Sequence, residues 1–285
     1  MCTCYRVTDV LKVTREPRSS YYNRLSRGKS RREQEDEVYI QYIKELQAKH
    51  TGRYGVVRMK NTLKQDYAVN INHKRVYRLM KSSNNLSSVK VKRKRYSKGQ
   101  QGVFVNLLQG KDFKTQEPYE KFVTDVTEFK EGKRKLYLSA VKDLHTHMIE
   151  GYVLSHHQSE RLALTTVDLI KDKSLEQGTI FHSDQGRIYG SHRVREVLEE
   201  NNFRQSMSKS GTPTDNAPME SFFGTLKSET IYNERCKCDN VAEVVKDFIF
   251  YYNNHRIQKS LGYKTPAQFK RQELERKIIN NTTHY

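Results

Sequence analysis

The fold is decided by three short runs: KFVTDVT at 121–127, KLYLSAV at 135–141 and MIEGYVLS at 148–155. Each run is rich in β-branched or aromatic residues and is bounded by charged or turn residues, which is typical of β-strands. No helical pattern separates them, so we predict an antiparallel meander. Helices and short strands then alternate, and we predict them at 159–171, 179–182, from about 191, and at 205–208. This order indicates an α+β fold with a mixed five-stranded sheet flanked by helices.

Positive charge is concentrated in the first third of the chain. The 285 residues carry a formal net charge of +19. Residues 1–100 hold 25 basic and 8 acidic side chains, whereas residues 101–285 hold 27 and 25. A strongly basic region predicts a polyanionic partner, most often DNA or RNA.

An acidic membrane surface is the alternative partner. No run approaches the ~20 apolar residues that a membrane-spanning helix needs. The first residues also lack the apolar core of a signal peptide. We therefore expect a soluble, cytoplasmic protein that does not bind membranes.

Residues 35–86 predict three helices. Their apolar faces repeat at helical spacing and consist of Tyr39, Ile43 and Leu46, of Val56, Met59, Leu63 and Tyr67, and of Val76, Leu79 and Met80. Asn72 is the predicted N-cap of the third helix, which carries four basic residues away from its apolar face: Lys74, Arg75, Arg78 and Lys81. A three-helix unit with a basic last helix suits the major groove of DNA. An ordinary solvated helical hairpin is the alternative.

The composition divides the chain into five segments, at a length that suggests about two domains. We predict a basic N-terminal segment at 1–34, a three-helix DNA-binding domain at 35–86, a basic linker at 87–118, an α+β core at 119–275 and a C-terminal tail at 276–285. The linker contains a run that cannot form a core and adds four predicted DNA-binding residues: Lys92, Arg93, Lys94 and Arg95.

The four cysteines form two C-x-C pairs, Cys2 with Cys4 and Cys236 with Cys238. Structural zinc sites usually space their cysteines as C-x2–4-C, and no histidine lies near either pair at finger spacing. Reduced thiols are the favoured interpretation, and the role of the pairs stays open.

Three carboxylates stand out by their positions. Asp125 lies within the first predicted strand, Asp184 follows the end of the fourth, and Glu220 lies in the first turn of a helix that Pro218 opens. Taken singly, Asp184 could be a turn former and Glu220 an acid that compensates the helix dipole. Asp143 is a further candidate, which we expect to be an exposed turn residue.

Together, these carboxylates and their neighbours carry a family resemblance. The motifs are FVTDVT at 122–127, HSDQG at 182–186, DNAPMESFFGTLK at 215–227 and YYNNHR at 251–256, with 35 residues between the second and third carboxylates. In order and spacing, they resemble the DDE transposases encoded by the second frame (OrfB) of bacterial insertion sequence family three. The resemblance covers about residues 35–272. It implies an RNase-H-like integrase core that follows a helix-turn-helix-like domain.

The resemblance also implies the chemistry. Asp125, Asp184 and Glu220 would hold two Mg²⁺ or Mn²⁺ ions, with Asp125 bridging them. Water would free a 3′-OH at the element end, and that hydroxyl would attack target DNA. Lys227 would hold a donor phosphate, while His182, Asn216 and Ser221 would support the site. His182 could equally be a satisfied strand-end histidine.

The resemblance further implies partners. These are double-stranded DNA, further copies of the chain on DNA, and an upstream-frame (OrfA) product, separate or fused, in the nucleoid-associated part of the bacterial cytoplasm. Two other functions stay open at this point. One is a non-enzymatic DNA-binding regulator that needs that partner, and the other is a nuclease acting on RNA hybrids.

Overall fold

The computed structural model describes residues 7–15, 17–89, 106–108, 113–175, 178–184, 186, 188–208, 216–232 and 240–282. The chain divides into two compact units, one comprising Met1–His50 and Tyr54–Leu86, the other Thr51–Arg53 and Ser87–Tyr285. Some predicted features lie outside the described residues, namely Lys92, Arg93, Lys94, Arg95 and the four cysteines.

The first unit is helical. Its elements are α1 (Val7–Thr14), α2 (Arg18–Ser26), α3 (Arg31–Lys49), α4 (Val56–Tyr67) and α5 (His73–Ser82). The three predicted helices correspond to α3, α4 and α5, and their predicted apolar faces supply a core of Ile43, Leu46, Met59, Leu63, Val76, Leu79 and Met80. Asn72 caps α5 as predicted, because its side chain accepts a hydrogen bond from Lys74 N at 2.9 Å.

Helix α3 begins earlier than the sequence pattern suggested. Ser30 and Glu33 form a capping box, in which each side chain accepts a hydrogen bond from the backbone N–H of the other. The predicted boundary between residues 34 and 35 therefore falls inside a helix. The S-x-x-E spacing of Ser30 and Glu33 is the sequence signal that marks the true start.

The second unit is built on a five-stranded mixed sheet. Its strands are β1 (Lys121–Glu131), β2 (Arg134–Asp143), β3 (Ile149–Ser155), β4 (Thr179–Ser183) and β5 (Phe203–Met207). Their order is β3-β2-β1-β4-β5, with β1 antiparallel to β2, β2 antiparallel to β3, and the β1–β4 and β4–β5 pairs parallel. The predicted antiparallel meander and mixed sheet are confirmed.

Helices α6 (Glu160–Asp168) and α7 (His192–Glu200) cover this sheet. The buried core between them and the strands includes Phe122, Val141, Val167, Phe181, Val194, Leu198 and Phe203. Burial of such side chains is the main source of stability for the sheet, at about 25 cal/mol for each Å² of apolar surface removed from water.

Three further α-helices lie in the described part of this unit: α8 (Ala217–Glu229), α9 (Val241–Asn254) and α10 (Pro266–Thr282). Phe222 on α8 packs against Phe248 and Tyr252 on α9, with ring centroids 6.5 and 4.9 Å apart. Helix α10 continues past residue 275, so the predicted start of a C-terminal tail at 276 falls within it. No glycine or proline follows Pro266 to end the helix there. Across the described ranges, every helix is too short or too polar to span a membrane.

The prediction that Asp143 is an exposed turn residue is wrong, because its side chain is fully buried. Its carboxylate accepts hydrogen bonds from Thr146 N, Thr146 Oγ1, Tyr119 N and His145 N, at 2.6 to 3.4 Å. Burial raises the pKa of Asp143, although these donors oppose the shift. The carboxylate therefore provides hydrogen-bond acceptors for three backbone N–H groups near the end of β2.

Asp143→Asn should destabilise the protein by about 1–3 kcal/mol, because the new NH₂ group would face donors where an acceptor is needed. Thermal or urea unfolding of the full chain would measure this loss. Asp247→Asn is the matched control, since Asp247 is exposed on α9 and its substitution should change stability by no more than about 0.5 kcal/mol. Equal stabilities for the two variants would contradict the role given to Asp143.

Candidate active site

Asp125 on β1 and Asp184, just after β4, occupy neighbouring positions in the sheet. In the parallel pair of β1 and β4, Val123 is opposite His182. Each aspartate follows its member of that pair by two residues. Because adjacent strands lie about 4.8 Å apart, the same register brings the two aspartates to neighbouring positions at the carboxyl ends of the paired segments.

Helix α8 is held along β1 by contacts on both sides of Asp125. Asn216 Nδ2 donates a hydrogen bond to the Thr124 carbonyl at 2.9 Å. Lys227 Nζ donates to Thr127 Oγ1 at 2.6 Å and lies 5.2 Å from the centre of the Phe129 ring.

Glu220 lies on the face of α8 that carries both contacts. It follows the N-cap Asn216 by four residues and precedes Lys227 by seven, and both spacings return to nearly the same side of a helix. The side chain of Glu220 therefore projects from the face that meets β1, in the stretch next to Asp125.

The surroundings of Asp184 favour a charged partner. Burial raises the pKa of Asp184, and the Gly186 N–H, which donates to Oδ1 at 3.0 Å, opposes the shift only in part. A Cβ atom at residue 186 would lie 2.7 Å from that same oxygen. Only glycine at this position leaves room for the carboxylate as it is oriented.

The donor set fits a hard divalent cation. Carboxylate oxygens are the ligands that Mg²⁺ prefers, and a cation would offset both the repulsion between the carboxylates and the burial of Asp184. The buried Oδ1 atom of Asn216 has no hydrogen-bond partner among the described residues, which leaves an acceptor beside the site. Within the same ranges, no three His, Cys, Asp or Glu side chains already form a metal-ligand group. Asp125 and Asp184 therefore occupy neighbouring positions without a closed ligand set among the described residues.

The predicted supporting residues differ in their surroundings. His182 is buried within β4, and its Nδ1 lies 2.8 Å from Ser206 Oγ on β5. Asn216 is buried, and its side-chain amide donates a hydrogen bond to β1. Ser221 is exposed on α8.

The four predicted DNA-binding residues of α5 fall into two classes. Arg75 donates to Asp36 Oδ1 at 2.7 Å and to Glu35 Oε2 at 3.1 Å, and Arg78 donates to Asp36 Oδ2 at 2.7 Å. The two lysines, Lys74 and Lys81, are exposed. Sequence reasoning treated the four as equivalent, because the acidic partners lie about 40 residues earlier on α3.

Sequence reasoning did not include two other exposed residues of α5, His73 and Tyr77, in the predicted DNA-binding surface. They precede Lys81 by eight and four residues and so share its side of the helix. The same periodicity that identified the buried face could have identified them as part of the opposite face.

Comparison with protein families matches both units. Residues 33–95 match an HTH-like domain. Residues 115–213 and 201–266 each match an integrase core domain.

Relatives extend the match to nearly the whole chain. The putative transposase InsK for insertion sequence element IS150 of Escherichia coli is 38% identical over 275 residues, covering 94% of each chain. The transposase for insertion sequence element IS904 of Lactococcus lactis is 32% identical, covering 87% of this chain and 99% of the relative. Among solved structures, the HTLV-2 integrase catalytic core domain in complex with magnesium covers 54% of this chain and 97% of its own, with 16% identity and a TM-score of 0.42.

Proposed function

Because the chain belongs to the DDE transposases of insertion sequence family three, of the second-frame (OrfB) type, we propose that Asp125, Asp184 and Glu220 are its catalytic carboxylates. The protein is a DNA transposase. The observation that supports this assignment is the parallel pairing of β1 with β4, together with the attachment of α8 to β1. In this arrangement, the three carboxylates would converge beside the carboxyl end of β4.

Integrase-type cores generally use divalent metal ions, and we propose two Mg²⁺ or Mn²⁺ ions for this one. The oxygens of Asp125, Asp184 and Glu220 would hold them, with Asp125 shared by both. When bound, such ions activate the attacking oxygen and stabilise the leaving one at phosphorus. Asn216 would orient water at the site through its free Oδ1 atom.

We propose two successive in-line displacements at phosphorus. In the first, a water oxygen bonds to phosphorus at the end of the element, and the bond to the 3′ oxygen breaks, which frees a 3′-OH. In the second, that 3′ oxygen bonds to a phosphorus of the target, and one target P–O bond breaks. Lys227, held beside Thr127 at the far end of α8, would contact a phosphate of the donor strand.

A supercoiled plasmid that carries the DNA flanking this reading frame would test the reaction. We expect nicks at the element ends and joined products with Mg²⁺ or Mn²⁺, and none with EDTA. The assay should use this chain alone and the chain fused to the upstream-frame product. If neither form nicks or joins DNA despite tight binding, the proposed reaction is wrong and a regulatory role is favoured.

We further propose that α5 binds duplex DNA through its exposed lysines, Lys74 and Lys81. Arg75 and Arg78 would instead shape the surface, since Asp36 and Glu35 already engage them. Because two element ends must be joined in one reaction, we also propose that several copies assemble on DNA. That assembly would include the upstream-frame (OrfA) partner and act in the cytoplasm on the nucleoid.

Lys74→Ala with Lys81→Ala should weaken DNA binding. It should also reduce the magnitude of the negative slope of log affinity against log salt by about 2, because each phosphate contact contributes about 0.9. Fluorescence anisotropy at several salt concentrations would measure both effects. Lys44→Ala with Lys64→Ala is the matched control, since both lysines are exposed on α3 and α4 and the net charge changes equally. An unchanged slope in the first variant, or an equal change in the control, would indicate that DNA binds a different surface of the protein.

A further inference from the structure

Thr124 lies immediately before Asp125 and is completely buried in the middle of the sheet. Its hydroxyl is hydrogen-bonded to the Ala140 carbonyl on β2 at 3.0 Å and to the Tyr189 hydroxyl at 2.7 Å. Its own carbonyl accepts a hydrogen bond from Asn216 at 2.9 Å. One residue of β1 therefore receives contacts from two distant segments of the chain.

The first of these segments carries Asp184. Gly186 N donates to the Asp184 carboxylate, and Tyr189 N donates to the Gly186 carbonyl at 3.2 Å. A short chain of hydrogen bonds thus runs from Asp184 to Tyr189 and on to Thr124. The Tyr189 side chain is almost completely buried, and its hydroxyl also lies 2.6 Å from Ser139 Oγ.

The second segment carries Glu220. Asn216 is the N-cap of α8, four residues before Glu220, and its amide lies in a buried position against the Thr124 carbonyl. A shift of Thr124 would therefore move the start of that helix. The two contacts use different atoms of Thr124, so they can form together.

We propose that Thr124 is a positioning residue of the active site, and that with Tyr189 and Asn216 it fixes the segments carrying Asp184 and Glu220 relative to Asp125. This inference rests on the proposed function, because it assumes that the three carboxylates act together. The Tyr189 hydroxyl contributes alignment, which packing of its ring alone does not provide. Groups that orient metal ligands typically change metal affinity or activity by about 10- to 100-fold when removed.

The test is Mn²⁺ binding by the full chain, followed by calorimetry, with strand transfer measured over a range of Mn²⁺ concentrations. Tyr189→Phe and Thr124→Val each remove one hydroxyl and keep the shape of the side chain. We expect each to weaken Mn²⁺ binding about 10-fold. The half-saturating Mn²⁺ concentration for strand transfer should rise by the same factor. The double variant should be little worse than either single one, because both changes break the same hydrogen bond.

Two variants separate positioning from general stability. Thr124→Ser keeps the hydroxyl and should bind Mn²⁺ nearly as the natural protein does. Thr179→Val removes another fully buried hydroxyl, which binds the Tyr119 carbonyl at 2.8 Å at the other end of β4. It should lower the melting temperature without changing Mn²⁺ affinity.

Three outcomes would overturn the inference: natural Mn²⁺ affinity in Tyr189→Phe, equal affinities in Thr124→Val and Thr179→Val, or a Thr124→Ser variant as weak as Thr124→Val. Glu220→Gln shows which proposal has failed. If Glu220→Gln loses Mn²⁺ binding while Tyr189→Phe keeps it, only the positioning role is wrong. If Glu220→Gln also binds normally, the proposed carboxylate site itself is wrong.

Discussion

Glu220→Gln should abolish strand transfer and leave DNA affinity nearly unchanged. The substitution keeps the size of the side chain but removes the charge that would help to hold a divalent ion. Loss of about 4 kcal/mol of transition-state stabilisation corresponds to a fall of about 10³-fold in rate. Because Glu220 lies away from the basic helix α5 in the sequence and carries a negative charge, its loss should not weaken contacts to phosphates.

The measurement pairs a plasmid nicking and joining assay with a DNA-binding titration of the same preparation. Glu199→Gln is the control, because Glu199 is an exposed glutamate on α7 of the same unit. That variant should cut and join DNA at the natural rate. A parallel loss of activity and DNA binding in Glu220→Gln would indicate misfolding or a DNA contact, and would argue against the proposed metal ligand.

The second large effect concerns a buried ion pair between the last residue of α8 and Arg256, which lies two residues beyond α9. Arg256 donates three hydrogen bonds to the Glu229 carboxylate, at 2.8 to 3.2 Å, and both side chains are less than 10% exposed. Burial lowers the pKa of Arg256, but the Glu229 carboxylate more than offsets this, so the pKa stands above its usual value. The guanidinium also lies 5.7 Å from the centre of the Tyr252 ring.

Glu229→Ala should destabilise the protein by about 3–5 kcal/mol, because it leaves the Arg256 charge buried without its partner. For a unit of about 200 residues, that loss corresponds to a fall in melting temperature of roughly 6–20 °C. Thermal unfolding followed by circular dichroism would measure it.

Two further variants test whether the loss of stability comes from the buried charge. Glu229→Met combined with Arg256→Met should recover most of the lost stability, since well-packed apolar residues can replace a buried ion pair. Asp168→Ala breaks the exposed pair with Lys171 and should change stability by less than about 1 kcal/mol. If Glu229→Ala were no worse than Asp168→Ala, the buried pair would not anchor α8 to α9.

Most of the fold was predictable because its signals are local. Short runs of β-branched and aromatic residues define the meander, and apolar spacing defines three of the helices in the first unit. The ends of elements were harder to predict. Strand β1 continues to Glu131, beyond the predicted Thr127, because β2 pairs with it from Phe122 to Glu131. Such pairing is a property of two segments together.

The proposed carboxylate triad and Asn216 were predicted from spacing and resemblance, whereas Thr124 and Tyr189 were not. Nothing near Tyr189 in the sequence indicates that its hydroxyl binds Thr124, which lies 65 residues earlier. The pairing of Arg75 with Asp36 could not be predicted either, because these residues are 39 positions apart in the sequence. Asp143 was misjudged because the unsatisfied backbone groups that it binds become evident only when the turn after β2 is built.

The strand order also sets the sequence of events during synthesis. The meander of β1, β2 and β3 closes only short loops, so it can form as soon as residue 155 has left the ribosome. Pairing of β1 with β4 must wait for residues near 180, and the bond from Asn216 to Thr124 spans 92 residues. Long-range contacts of this kind form late. A nascent or truncated chain that stops before α8 can thus possess a sheet but lacks Glu220, so under the proposed assignment it could not yet cut DNA.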